Sequence, residues 1–126
     1  MSLIERLESY CLTPAMSGFE DEMIKKLKAD LAAHVDEIRV DVLGNVIATI
    51  KGNKSDASEL MVFAHTDSLG MIVKKVEENG FIRIERVGGV PERILAASNV
   101  VLQAADGKIV NGLIGFVSHH LTPPED

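Results

Sequence analysis

Asn79-Gly80 stands between two runs with alternating side chains, Met71-Ile-Val-Lys-Lys-Val-Glu77 and Gly80-Phe-Ile-Arg-Ile-Glu-Arg-Val87. Asn-Gly in that setting is a strong local signal for a tight turn between antiparallel strands. It commits this stretch to a hairpin. Asp106-Gly107 repeats the pattern between Asn99-Val-Val-Leu-Gln-Ala104 and Lys108-Ile-Val-Asn-Gly-Leu-Ile-Gly-Phe-Val117. Gly88-Gly89 separates the two. From Met71 onward the pattern is all-β and rich in glycine, which predicts part of a small barrel.

The chain before Gly70 has a different period. Ile4, Leu7 and Tyr10 or Cys11 share one face of a first helix that Pro14 ends. Ser17-Gly18-Phe19-Glu20 matches a capping box, with Ser17 as N-cap and Glu20 reaching back. The helix it opens is expected to reach about His34, with Met23, Ile24, Leu27 and Leu31 on the buried face. Ile38, Val40 and Val42 then alternate with charged residues. Leu43-Gly44-Asn45 turns the chain into Val46-Ile-Ala-Thr-Ile50, another hairpin. A polar loop over 52–58 leads to the apolar run Glu59-Leu-Met-Val-Phe-Ala64, which reads as a buried strand ending at His65. The fold class expected is α/β, with a change to strands only near residues 68–72.

Composition narrows the possible functions. The 126 residues are 46% hydrophobic and 25% charged, which is ordinary for one folded domain with a modest core. The net charge of -6 disfavours nucleic acid or an anionic membrane as partner. Lys25-Lys26-Leu27-Lys28 lies within a helix pattern and makes no basic patch. One cysteine, Cys11, excludes an internal disulfide framework and fits a reducing compartment, expected to be the cytoplasm. It is expected to be a buried, inert thiol. No signal peptide or membrane-spanning run is evident.

The sharpest chemical feature is Ala64-His65-Thr66-Asp67. A histidine at a strand's C-terminal end faces the sheet edge where ligands collect in open α/β folds. An aspartate two residues on can return to the ring. One imidazole nitrogen can then bind a metal while the other donates to the carboxylate. A catalytic zinc needs about three protein ligands, and this motif supplies one. The other candidates carry less. Glu77 and Glu78 flank a tight turn, so their carboxylates are expected to point apart into water. His119-His120 are adjacent and diverge in an extended segment. His34 lies at a helix end. No Gly-x-Gly-x-x-Gly or phosphate-binding loop is present.

In order, Ser17-Gly18-Phe19-Glu20, Asp41-Val42-Leu43-Gly44-Asn45, Ala64-His65-Thr66-Asp67-Ser68-Leu69-Gly70, Gly88-Gly89 and Gly112-Leu113-Ile114-Gly115 resemble the dinuclear-metal aminopeptidases. The branch is similar to the glutamyl aminopeptidase, deblocking aminopeptidase and endoglucanase M family. The resemblance covers nearly the whole chain but only the N-terminal part of the family pattern. It implies that 1–70 is the start of a metallopeptidase α/β domain. It implies that 71–126 is part of an inserted β-barrel or PDZ-like dimerisation domain, incomplete here. It carries over His65 as a ligand of one of two divalent ions, zinc or cobalt, and Asp67 as the catalytic-site carboxylate that orients His65. It implies a peptide substrate, a homo-oligomer and a parent activity of removing N-terminal residues. Thr66 and Ser68 depart from the residues usual in the family, at positions that are not metal ligands.

The family's other ligands and its general base lie downstream. The isolated chain is therefore expected to hold no stoichiometric metal and to be inactive. A non-catalytic assembly or interaction module is the alternative.

Overall fold

The computed structural model describes residues 1–54, 56 and 58–116. The chain divides into two compact units, Met1–Gly88 and the part from Gly89 onward.

The first unit opens with α1, Leu3–Cys11. Ser2 and Glu5 cap it reciprocally: the Glu5 amide donates to Ser2 Oγ at 3.2 Å, and the Ser2 amide donates to Glu5 Oε2 at 2.6 Å. Helix α2 spans Asp21–Leu31. Its N-cap is Glu20 and not Ser17. Glu20 uses its carboxylate to accept the Gly18 amide at 2.9 Å, and Ser17 turns elsewhere. The helix stops at Leu31, short of His34, and Ala32 to His34 form turns. Tyr10 Oη donates to Asp30 at 2.7 Å, and the Lys26 ammonium lies 5.3 Å from the Tyr10 ring centroid. These contacts join α1 to α2. Cys11 is exposed, contrary to the buried thiol expected.

Strands β1 (Glu37–Val40) and β2 (Val46–Thr49) form one antiparallel pair, with Val40 opposite Val46. Strands β3 (Gly70–Val76) and β4 (Ile82–Val87) form another, with a register shift between Val73 and Lys75. In the second unit a 3-10 turn over Glu92–Ile94 precedes β5 (Asn99–Gln103) and β6 (Ile109–Leu113), again antiparallel. All three hairpins expected are present. From Met71 on, the described residues hold strands and turns and no α-helix.

The three turns share one construction. Asp41, Glu77 and Ala104 each accept, on the main-chain oxygen, the amide of the glycine three residues on: Gly44, Gly80 and Gly107. Each also donates its own amide to the residue after that glycine. The glycines have φ of +88°, +85° and +81°, while Ala97 is the one non-glycine with positive φ among the described residues. Asn79 therefore does not take the left-handed conformation. The loop is the three-residue kind, in which glycine alone takes it.

One expected element is missing. Residues 59–64 form no strand. Leu60, Met61, Val62 and Phe63 are between 81 and 89% exposed. A strand exists by pairing its amides and carbonyls with a neighbour. No strand among the described residues lies beside this run. Its apolar sequence fits a strand paired on both edges and covered on both faces, and neither condition is met. The buried apolar side chains among the described residues are Ala15, at 1% exposure, and Met23, at 7%.

Candidate metal-ligand site

Two loops of the first unit meet after the apolar run. The α1–α2 loop contributes Ala15, Met16 and Ser17. The segment entering β3 contributes His65, Asp67 and Ser68. The Ser68 amide donates to the Ala15 carbonyl at 2.7 Å, and Met16 and Ser68 form an isolated parallel bridge. Gly18, with φ of +85°, reverses the chain so that the Phe19 amide returns to the Met16 carbonyl at 2.7 Å. Gly70 makes the approach possible. A Cβ there would lie 2.6 Å from Met16 Cγ and 2.9 Å from its sulfur.

This stitching brings three polar side chains into one line. His65 Nδ1 lies 3.1 Å from Asp67 Oδ1 and 3.1 Å from the Asp67 carbonyl. Ser17 Oγ donates to the other carboxylate oxygen, Asp67 Oδ2, at 2.5 Å. The Ser17 hydroxyl, and after it the His65 ring, hold the Asp67 carboxyl below its ordinary range. It is ionised at neutral pH and only accepts hydrogen bonds. Both oxygens facing Nδ1 are acceptors, so Nδ1 carries the ring proton. In the neutral ring the lone pair is then on Nε2. The His65 side chain is 87% exposed, which leaves that lone pair accessible.

The arrangement can offer one nitrogen ligand to a divalent cation. It is not a nucleophile site. A serine is activated when histidine accepts its proton, and here the carboxylate lies between the two. The structure joins His65 and Asp67 as the spacing predicts. Sequence reading missed Ser17, because Ser17-x-x-Glu20 resembles a helix cap, and its real partner is 50 residues away.

The other candidates separate from the site. Glu77 is tied to Lys75 at 2.6 Å and to Arg83. Lys75 first, then Arg83, holds its carboxyl below the ordinary range. It does not point freely into water, as expected, but serves the hairpin. Glu78 is exposed. His34 follows α2, its amide on the Leu31 carbonyl. His119 and His120 lie outside the described residues. Among the described residues, no three His, Cys, Asp or Glu side chains converge as a metal site.

Residues 44–126 match the M42 glutamyl aminopeptidase family. The lysyl aminopeptidase of Pyrococcus furiosus is 34% identical over 118 residues, 93% of this chain and 33% of that protein. Aminopeptidase APDkam598 from the archaeon Desulfurococcus kamchatkensis superposes with a TM-score of 0.89 at 34% identity, over 95% of this chain and 33% of its own. PhTET1-12s, solved as a dodecamer in the asymmetric unit, superposes with a TM-score of 0.80 at 28% identity, over 98% of this chain and 36% of its own. The chain spans about a third of the length of the relatives it matches.

Proposed function

Because this chain belongs to the M42 glutamyl aminopeptidase family, we propose that His65 and Asp67 form part of the metal-binding apparatus of an aminopeptidase that removes N-terminal residues from peptides. One observation carries the reading: the Asp67 carboxylate lies 3.1 Å from His65 Nδ1, and the His65 side chain is exposed, so Nε2 can face a cation. An imidazole whose other nitrogen is held by a carboxylate is a common metal-ligand arrangement.

The donor set fits a divalent ion such as zinc or cobalt. His65 would hold one of two ions and Asp67 would fix the ring. The remaining ligands and the general base come from outside the described residues. When bound, such ions supply Lewis acidity to the scissile carbonyl and acidify the attacking water. His65 supplies the neutral nitrogen. Asp67 keeps the Nδ1 proton in place and offsets the charge gathered at the ring.

In this reading, 1–70 is the start of the peptidase domain and 71–126 belongs to a barrel or PDZ-like dimerisation domain. The dodecamer described for PhTET1-12s supports a homo-oligomer. The single free cysteine supports a reducing compartment, the cytoplasm. No helix among the described residues is long and apolar enough to cross a membrane.

The reading is tested by titrating zinc or cobalt into the chain and following the imidazole nitrogens by NMR. Weak binding centred on His65 Nε2 and abolished in His65→Gln is expected, with no hydrolysis of aminoacyl chromogenic peptides. Robust turnover by the pure chain would place the active site elsewhere, and a metal response that ignores His65→Gln would remove the ligand assignment. A second reading, a non-catalytic assembly module, is favoured by the exposure of Leu60 to Phe63.

A further inference from the structure

We propose that Ser17 is a positioning residue for the metal ligand: its hydroxyl holds Asp67 in the rotamer that keeps the His65 proton on Nδ1 and leaves Nε2 free for a divalent cation. The proposal rests on the reading of His65 as a ligand.

The His65 and Asp67 side chains are 87% and 41% exposed. An exposed pair of this kind, left alone, gains little from its contact and loses rotamer freedom in making it. An imidazole in water also prefers its proton on Nε2, which blocks the nitrogen a metal needs here. The Asp67 main-chain oxygen also lies 3.1 Å from Nδ1, but it does not fix the carboxylate rotamer, which calls for a contact from outside the pair. Ser17 supplies it from a separate loop, through Oδ2 at 2.5 Å, and leaves Oδ1 to face the ring at 3.1 Å.

The anchor is itself fixed. Its neighbours Ala15 and Met16 are joined to Ser68 by a main-chain hydrogen bond and a bridge. Ala15 is buried. The hydroxyl is thus fixed relative to the same short segment that carries Asp67. The Ser17 side chain is hydrogen-bonded to the Asp67 carboxylate, so its effect on the ring passes through that carboxylate.

The test needs no metal. The chain is labelled with ¹⁵N and the imidazole nitrogens are recorded at about pH 8.5, well above the ordinary histidine pKa of about 6.5. His65→Gln assigns the signals. In the wild type, Nδ1 is expected in the protonated range and Nε2 in the lone-pair range. Ser17→Ala should move the His65 equilibrium toward the Nε2–H tautomer, and Ser17→Thr, which keeps the hydroxyl, should restore the wild-type pattern. A wild-type pattern in Ser17→Ala would overturn the proposal, as would a Ser17→Thr chain that behaves like the alanine variant.

Should Ser17→Ala open the loop, seen as lost protection of the Ser68 amide, the threonine variant decides alone by the same criterion. Zinc titration then separates the two readings. Zinc that leaves His65 unshifted while the tautomer still depends on Ser17 removes the metal assignment and supports the positioning role. If zinc binds, Ser17→Ala should weaken it about tenfold or more, the scale of a lost outer partner, and unchanged affinity would overturn the proposal.

Discussion

Gly70→Ala tests how the two loops are held together. The added methyl would meet Met16 Cγ at 2.6 Å, its sulfur at 2.9 Å and its Cβ at 3.2 Å. Carbon atoms settle at about 3.5–4.0 Å, so the overlap approaches an ångström. Rotating the Met16 side chain removes the first two clashes. It cannot remove the third, because Cβ moves only with the main chain. That main chain is pinned, with the Met16 carbonyl accepting the Phe19 amide at 2.7 Å and the residue bridged to Ser68. Overpacking of this kind costs about 1–3 kcal/mol. Alanine recovers about 0.4–1 kcal/mol by restricting the unfolded chain. The net loss is then on the order of 1–2 kcal/mol, a factor of about 5–30 in the opening equilibrium.

Hydrogen exchange at the Ser68 amide, which spans the two loops at 2.7 Å, reads that opening directly. Its protection should fall by that factor in Gly70→Ala. Gly52→Ala is the control, since a Cβ there meets nothing within 4 Å. Equal protection in the Gly70 variant and the wild type would refute the steric argument. An equal fall in both variants would show a general backbone effect and refute it too.

Three further outcomes follow from the same geometry. In the metal-loaded peptidase, His65→Ala should remove one ion and most activity, and Asp67→Asn should cost about 10–100-fold in affinity or activity; metal analysis beside peptide hydrolysis measures both. Leu60, Met61, Val62 and Phe63 stand exposed, and burying such side chains is worth about 1.5–3 kcal/mol each, so the chain should self-associate, and Val62→Lys should shift light scattering toward the monomer; a wild-type chain that stays monomeric at high concentration refutes this. The Glu77 carboxyl titrates below its ordinary value of 4.5, so its tie to Lys75 and Arg83 is complete above that value and is lost as pH falls through the lower folded value. A carboxyl NMR titration with its midpoint at or above 4.5 would contradict the pairing.

What could be read from the sequence was what neighbours decide among themselves. Asn79-Gly80, Asp106-Gly107 and Leu43-Gly44-Asn45 mark their turns because a left-handed glycine is a local requirement, and all three hairpins formed there. His65 and Asp67 could be paired because two residues of spacing bring a carboxylate back to a ring. Ser17 could not be read, since its partner is a matter of tertiary closure, and a serine three residues before a glutamate mimics a cap. The strand expected over 59–64 failed for the converse reason. Its composition describes a place inside a sheet, and pairing needs neighbours that no property of the run itself supplies. Cys11 illustrates the same point at one residue, because the burial usual for a free thiol depends on what covers it, which its own neighbourhood in sequence does not supply.

The bond between Ser17 and Asp67 closes a loop of 50 residues. Bringing the ends of such a loop together costs about 3.5 kcal/mol of chain entropy beyond a constant, from (3/2)RT ln n. The histidine and aspartate, by contrast, can find each other in a newly made chain. Chain closure thus separates the two contacts in cost. The couple is local, whereas its anchor needs two loops brought together across α2 and the first hairpin. On the role proposed for Ser17, a molecule whose loops have parted would keep the histidine and aspartate side by side and lose the tautomer preference.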